Sequence, residues 1–208
     1  MKIHRSLLLA GLIAAGTAFA HDGGSNPGSN ILFVFDGAMP MQPLRPGANG
    51  LTNNNTVAGV TAAGAPWDMK AFQAVVRAGG EFRAQGSGVL LLGTDNIGTR
   101  GGPRQVILSL FCRNAPVAPS VIGTVNPNAF NSQPTDLDED GDFSVRGWLA
   151  DSTGAAPPAN CGDSVDNRPV FLVRAVVAAN PTTGAPATPG SWFAAGIIAD
   201  RHGGHDRW

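Results

Sequence analysis

Carboxylates recur at alternate positions through Asp136-Leu137-Asp138-Glu139-Asp140-Gly141-Asp142-Phe143, with glycine at the sixth place, where a calcium loop turns sharply. Hard oxygen donors at that spacing can converge on one Ca2+. The pattern departs from an EF-hand in two ways. The twelfth position, which should carry a bidentate glutamate, is Gly147, and the flanks alternate like strands rather than helices. Asp140-Gly141 is also a strong hairpin dipeptide. The segment therefore reads first as an acidic turn. Its second reading is a weak Ca2+ site with Asp136, Asp138, Asp140 and Asp142 as ligands.

Histidine offers other metal chemistry. If the chain were cut before His21, that residue would present an α-amino group beside its imidazole, a chelating pair suited to copper or nickel. His202 and His205 lie close together near the other end. The parts needed for nucleophilic hydrolysis are not in the sequence. There is no GxSxG elbow, and no histidine falls between His21 and His202 to act as a general base. The carboxylates of the acidic loop sit together on one turn, without a partner across a cleft for glycoside hydrolysis. Phosphate-loop and dinucleotide fingerprints are missing too. The glycine-rich stretch Gly93–Arg104 holds Arg100 and enough backbone N–H groups to cradle an anion. It opens no helix, and a plain connection between strands is the simpler account. Recognition is a further option. Trp148 and Arg146 share the polar face of an alternating segment, and Arg174 would join them if its strand were a neighbour. Such a set suits a sugar or peptide surface.

These residues need elements to hold them. The stretch Glu81–Cys112 reads as two long strands joined by the glycine-rich connection. Phe82, Ala84, Gly86, Gly88, Leu90 and Leu92 fall on one face of the first. The second, Gln105–Cys112, is apolar on both faces, as a strand central to a core must be. Around them, Ile31–Phe35, Thr56–Thr61, Asp142–Ala150, Pro169–Ala178 and Trp192–Ala199 read as strands, and Val121–Val125 as a short one. Met39–Asn55 and Asn126–Pro134 read as loops. Trp67–Gly80 fits a helix or a strand. The strand is preferred because Ala78-Gly79-Gly80 then makes a tight turn into Glu81. About eight strands with frequent turn signals imply an all-β fold, an antiparallel β-sandwich for which an immunoglobulin-like arrangement is one form.

The first residues set the compartment. Met1-Lys2-Ile3-His4-Arg5, an apolar run from Leu7 to about Ala15, and Ala18-Phe19-Ala20 follow the order of a secretory signal peptide. The expected organisation is a signal over 1–20, a flexible lead-in over 21–30, one sandwich domain over 31–199 and a polar tail over 200–208. No later segment is long and apolar enough to cross a bilayer, so none is expected after cleavage. The formal net charge is −1, with no basic stripe to attract nucleic acid or anionic lipid. Two cysteines in an exported chain argue for one disulfide, Cys112 to Cys161, pinning a proline-rich loop to the sheet.

Several blocks resemble a group of small exported bacterial proteins without an assigned activity. They are GVLLLG with Asn96-Ile97-Gly98-Thr99 after it, SLFC, DGDF, Cys161 followed by PVFLVR, and WFAAGI. That resemblance implies a secreted β-sandwich and carries no catalytic residues. The sequence as a whole points to a secreted or periplasmic binding or structural module that meets an extracellular ligand or protein. The alternative is a metal-binding protein or metal-dependent enzyme using Ca2+ at the aspartates or copper at the terminal histidines.

Overall fold

The computed structural model describes residues 30–47, 52–114, 122–162 and 164–199. In chain order the strands begin with β1 (Ile31–Pro40), β2 (Leu44–Pro46), β3 (Thr52–Asn54), β4 (Thr56–Val57) and β5 (Val60–Thr61). They continue with β6 (Trp67–Asp68), β7 (Ala71–Arg77), β8 (Glu81–Ser87), β9 (Leu90–Leu91) and β10 (Gln105–Arg113). The last are β11 (Val125–Asn131), β12 (Thr135–Asp136), β13 (Phe143–Trp148), β14 (Val170–Val177) and β15 (Thr188–Ile198).

One antiparallel path runs β11-β10-β14-β15-β1-β7-β8-β13, with β12 attached to β10. This sheet curls until its ends touch. At the end of β11, the Asn131 N–H donates to the Ala150 carbonyl at 2.7 Å, and the Ala150 N–H returns a bond of 3.1 Å. The all-β, antiparallel expectation holds in the form of a single sheet curled over its own apolar face. Period-two alternation explains which face that is. Register places Leu108 beside Val173, Val173 beside Ala194, and Phe35 beside Ala74, all buried. The rings of Phe35 and Phe171 stand 4.8 Å apart, and Phe72 lies 5.8 Å from Phe171 and 6.5 Å from Phe143. Gly196 makes room for them, since a Cβ there would sit 2.8 Å from the Phe72 ring.

The ambiguous segment before Glu81 is strand β7. Gly79 and Gly80, at φ 81° and 85°, turn it into β8, so the hairpin forms as the short connection required. Strand β10 is buried from Val106 to Cys112, as its two apolar faces demanded. Cys112 and Cys161 form the disulfide, with Cα atoms 5.3 Å apart.

Four expectations need correction. The strand from Glu81 stops at Ser87 rather than reaching Leu92, because Gly88 adopts φ 66° and its N–H is captured by Asp142 at 2.8 Å. Leu90–Leu91 pairs instead with Trp67–Asp68, and β8 is no neighbour of β10. Thr56–Thr61 is a miniature hairpin, not one strand, with Ala58 and Gly59 both at positive φ as a primed two-residue turn needs. Residues assigned to loops carry strand: β1 extends to Pro40, Leu44–Pro46 pairs with Thr52–Asn54, and Val125–Asn131 is β11. Pro127 lies within β11, which ends the sheet path, where a missing N–H can be tolerated. Of the short strand expected at Val121–Val125, Val121 lies outside the described residues and only Val125 is strand. The proposed signal and the tail also lie outside them, as does the lead-in up to residue 29.

Candidate recognition groove

Strands β7, β8 and β13 direct Phe72, Phe82, Gly86 and Phe143 to the core and the alternate side chains to the opposite face. Register stacks those outward residues in rows. Gln73, Gln85 and Ser144 lie side by side across the three strands, and Val75, Arg83 and Arg146 form the next row. The first row is hydrogen-bonded. The Gln85 Nε2 donates to Gln73 Oε1 at 3.1 Å, and the Gln73 Nε2 donates to Asp36 Oδ1 at 3.3 Å, which carries the row onto β1. Each amide is thereby tied to its neighbour in the row.

Two hollows meet along this face. One, of about 560 Å³, runs from Ser87 and Gln85 to Asp136, Asp138 and Asp142. The other, of about 180 Å³, is bounded by Val75, Arg83 and Arg146. Gln73, Gln85 and Ser144 line both, so the two form one groove, acidic at one end and basic at the other. Arg146 stands directly opposite Arg83 in the β8–β13 register. Like charges so placed cost stability. Among the described residues Arg146 has no hydrogen bond or ion pair, and it is exposed. Trp148, two residues on and on the same face, is 69 % exposed.

The acidic loop is built around its own backbone. The Asp138 Oδ1 accepts the N–H groups of Asp140 at 3.0 Å and Asp142 at 2.8 Å. Asp142 accepts from the Gly88 N–H, and Asp136 accepts from the Gln105 Nε2 at 2.9 Å. The carboxylates of Asp136, Asp138 and Asp142 thus each hold a different neighbour, while Asp140 is exposed at the turn. Among the described residues no three His, Cys, Asp or Glu groups lie close enough to hold a metal ion together. His21, His202 and His205 lie outside the described residues.

Arg174 is not part of the groove. Its strand lies between β10 and β15, whereas Arg146 and Trp148 sit on β13 beside β8. Its guanidinium donates to the carbonyls of Gly190 at 2.8 Å and Pro189 at 2.9 Å, and to Ser109 Oγ at 3.3 Å. Burial lowers its pKa from the usual arginine range, which still leaves it charged at ordinary pH. The fixed role is to fasten the irregular β14–β15 pairing. Arg100, in the glycine-rich connection, is buried and donates to the Pro103 carbonyl at 3.0 Å, bracing its own loop.

Sequence reading singled out Arg146 and Trp148 but passed over Arg83, Gln73 and Gln85. The polar face of β8 already showed Arg83 and Gln85. What it lacked was the register that sets them against Arg146 and Ser144. No protein-family model matches this chain, no curated protein is similar to it, and no solved structure matches its fold.

Proposed function

We propose that the chain is an exported, non-catalytic binding module that presents the outward face of β7, β8 and β13 to an extracellular or periplasmic ligand. The observation that carries this reading is the groove itself. Arg146, without a hydrogen bond or ion pair among the described residues, an exposed Trp148 two positions on, and a row of hydrogen-bonded amides share one face of strands whose other face packs into the core. Binding side chains on such strands lose little entropy when a ligand arrives. Export is supported by the basic, apolar and small-residue order of the first twenty positions and by the Cys112–Cys161 disulfide. Among the described residues no helix is long and apolar enough to cross a membrane.

The test is an array of immobilised glycans and peptides probed with the wild-type chain and with Trp148→Ala. Trp148 contributes little to the core, so its removal should leave the melting temperature nearly unchanged. The expected result is binding by the wild type that weakens in the variant. Binding that ignores Trp148→Ala would move the site elsewhere, and silence of the wild type on every probe would favour a purely structural role.

A further inference from the structure

We infer that the hairpin between β14 and β15 is a site of O-linked glycosylation, with sugar carried on Thr182, Thr183 and Thr188. This shares only the export of the chain with the reading above and does not depend on the groove. The hairpin is a ribbon that leaves the sheet. Strand β10 pairs with β14 as far as Ala175, and β1 joins β15 only from Ala194 onward. Between those points Val176 faces Pro189, Val177 faces Thr188 and Asn180 faces Ala185. Every residue over 177–188 is exposed. The ribbon is nevertheless fixed at both ends. At its root the Arg174 guanidinium holds the carbonyls of Pro189 and Gly190. At its tip the Asn180 Oδ1 accepts the N–H groups of Thr182 at 2.9 Å and Thr183 at 3.2 Å, and the Asn180 carbonyl accepts the Gly184 N–H at 2.9 Å.

A two-stranded ribbon buries no core of its own and is marginal in water. Exposed strand edges are normally guarded by charge or proline. Here no charged residue falls between Arg174 and Asp200. Pro186 and Pro189 guard the β15 side, but Val176-Val177-Ala178-Ala179-Asn180 on the β14 side carries neither guard. Val177 is 54 % exposed. What the ribbon offers instead is hydroxyl and proline, in Pro181-Thr182-Thr183-Gly184-Ala185-Pro186-Ala187-Thr188-Pro189, the composition on which O-linked sugars are borne. Among the described residues the hydroxyls of Thr182 and Thr188 make no hydrogen bond, and Thr183 Oγ1 accepts one long bond of 3.4 Å from the Ala185 N–H. Thr188 stands directly across from Val177, so a sugar there covers the exposed valine and hinders the bare edge from pairing with another chain.

The donor is a sugar joined to a polyprenyl phosphate, a class of compound available outside the cytoplasm. The threonine Oγ forms a bond to the anomeric carbon, the bond from that carbon to the phosphate oxygen breaks, and the phosphate leaves with the electron pair. The hydroxyl proton passes to a base of the transferase, and nothing is oxidised or reduced. Phosphorylation is disfavoured, because the ribbon has no arginine or lysine of its own to pair with a phosphate.

The experiment is peptide mass spectrometry of the protein recovered from the periplasm and medium of its native host. Cleavage at arginine releases residues 175–201, which hold all three threonines. That peptide should be heavier by the mass of one or more sugar residues. The increment should vanish when Thr182→Ala, Thr183→Ala and Thr188→Ala are combined. Because all three side chains are exposed, the combined variant should keep the melting temperature of the unglycosylated chain, which separates lost sugar from lost folding. The inference is overturned by an unmodified peptide from the exported protein, by a phosphate increment, by sugar confined to other peptides, or by sugar on a chain made without residues 1–20. None of these results bears on the groove, whose own test is the loss of binding in Trp148→Ala.

Discussion

Arg146 faces Arg83 across the strand pair, and a single substitution tests what that pairing costs the fold. Arg146→Glu would place an acid opposite Arg83, replacing a repulsive cross-strand pair with an attractive one. Such pairs are worth about 0.2–1 kcal/mol at a sheet surface. A chemical denaturation curve should therefore show a stability gain of that order. An unchanged or lower stability would show that the pair is not repulsive in the folded sheet. Asp151 gives a pH test at the same scale. Its carboxylate accepts the Thr153 hydroxyl at 2.7 Å and the N–H groups of Thr153 and Ala155 at 2.8 and 3.0 Å. Those bonds, the Thr153 hydroxyl first, lower its pKa below the usual 3.8. Because the folded chain holds the charged form better, the contribution is fully present above the unfolded value. It disappears as pH falls through the folded one. Between about pH 5 and pH 3, Asp151→Asn should show a shallower loss of stability with acid than wild type. Matching slopes would mean that the turn survives protonation.

At the scale of elements, the acidic loop and the end of β8 are one device. Asp142 holds the Gly88 N–H, the Gly141 carbonyl accepts the Val89 N–H at 2.9 Å, and the strand from Glu81 is thereby forced to stop. Gly141 sits at φ 78°, and a Cβ there would come within 2.6 Å of the Val89 backbone. Gly154, at φ 87°, has nothing within 4 Å of the same position. Gly154→Ala should cost about 1–2 kcal/mol, the strain of a left-handed alanine alone. Gly141→Ala should cost clearly more, because Val89 is buried and its backbone must give way. Equal losses in the two melts would show that β13 shifts freely against β8. This coupling also marks how far the sequence could be read. The turn at Ala78-Gly79-Gly80 tipped β7 from helix to strand, and apolar patterning identified β10, β13, β14 and the later part of β15, since each needs only its own residues to show a buried face. It overran Ser87, because Leu90 and Leu92 continue the pattern while the break is imposed by Asp142, fifty-odd positions away. It missed β11, where Pro127 signals a loop and only the end position in the sheet makes a strand tolerable. The groove was half visible for the same reason. Arg146 and Trp148 are a local pattern, but their pairing with Arg83 and Gln85 is a fact of register, and Arg174 was drawn in only by assuming a neighbour it does not have.

For the whole molecule, the question is what keeps a single curled sheet from opening. Its path ends at β11 and β13, which meet through the two bonds between Asn131 and Ala150. Asn131 is braced from behind, because the Ser109 Oγ donates to its Oδ1 at 2.6 Å and in turn receives Arg174. From Ala150 the chain passes through the Asp151 turn to Cys161, whose sulfur ties it to Cys112 near the end of β10. The disulfide therefore anchors the segment that follows the closing bridge. It spans a sequence separation of 49, which in the chain-entropy account stabilises the fold by about 4 kcal/mol. For a chain of this size that corresponds to a fall of about 8–16 °C in melting temperature on reduction. The loss should not be uniform. Strands β10, β14 and β15 lie inside the path with partners on both sides, so their amides should stay protected in hydrogen exchange after reduction. Those of β13 and β11, and the segment from Ala150 to Cys161, should exchange first. A Cys112→Ala/Cys161→Ala variant that loses protection evenly across the sheet would show that the cross-link acts on the unfolded chain alone. Loss confined to the two ends would show that it also holds the seam shut, and with it the shape of the groove that β13 helps to form.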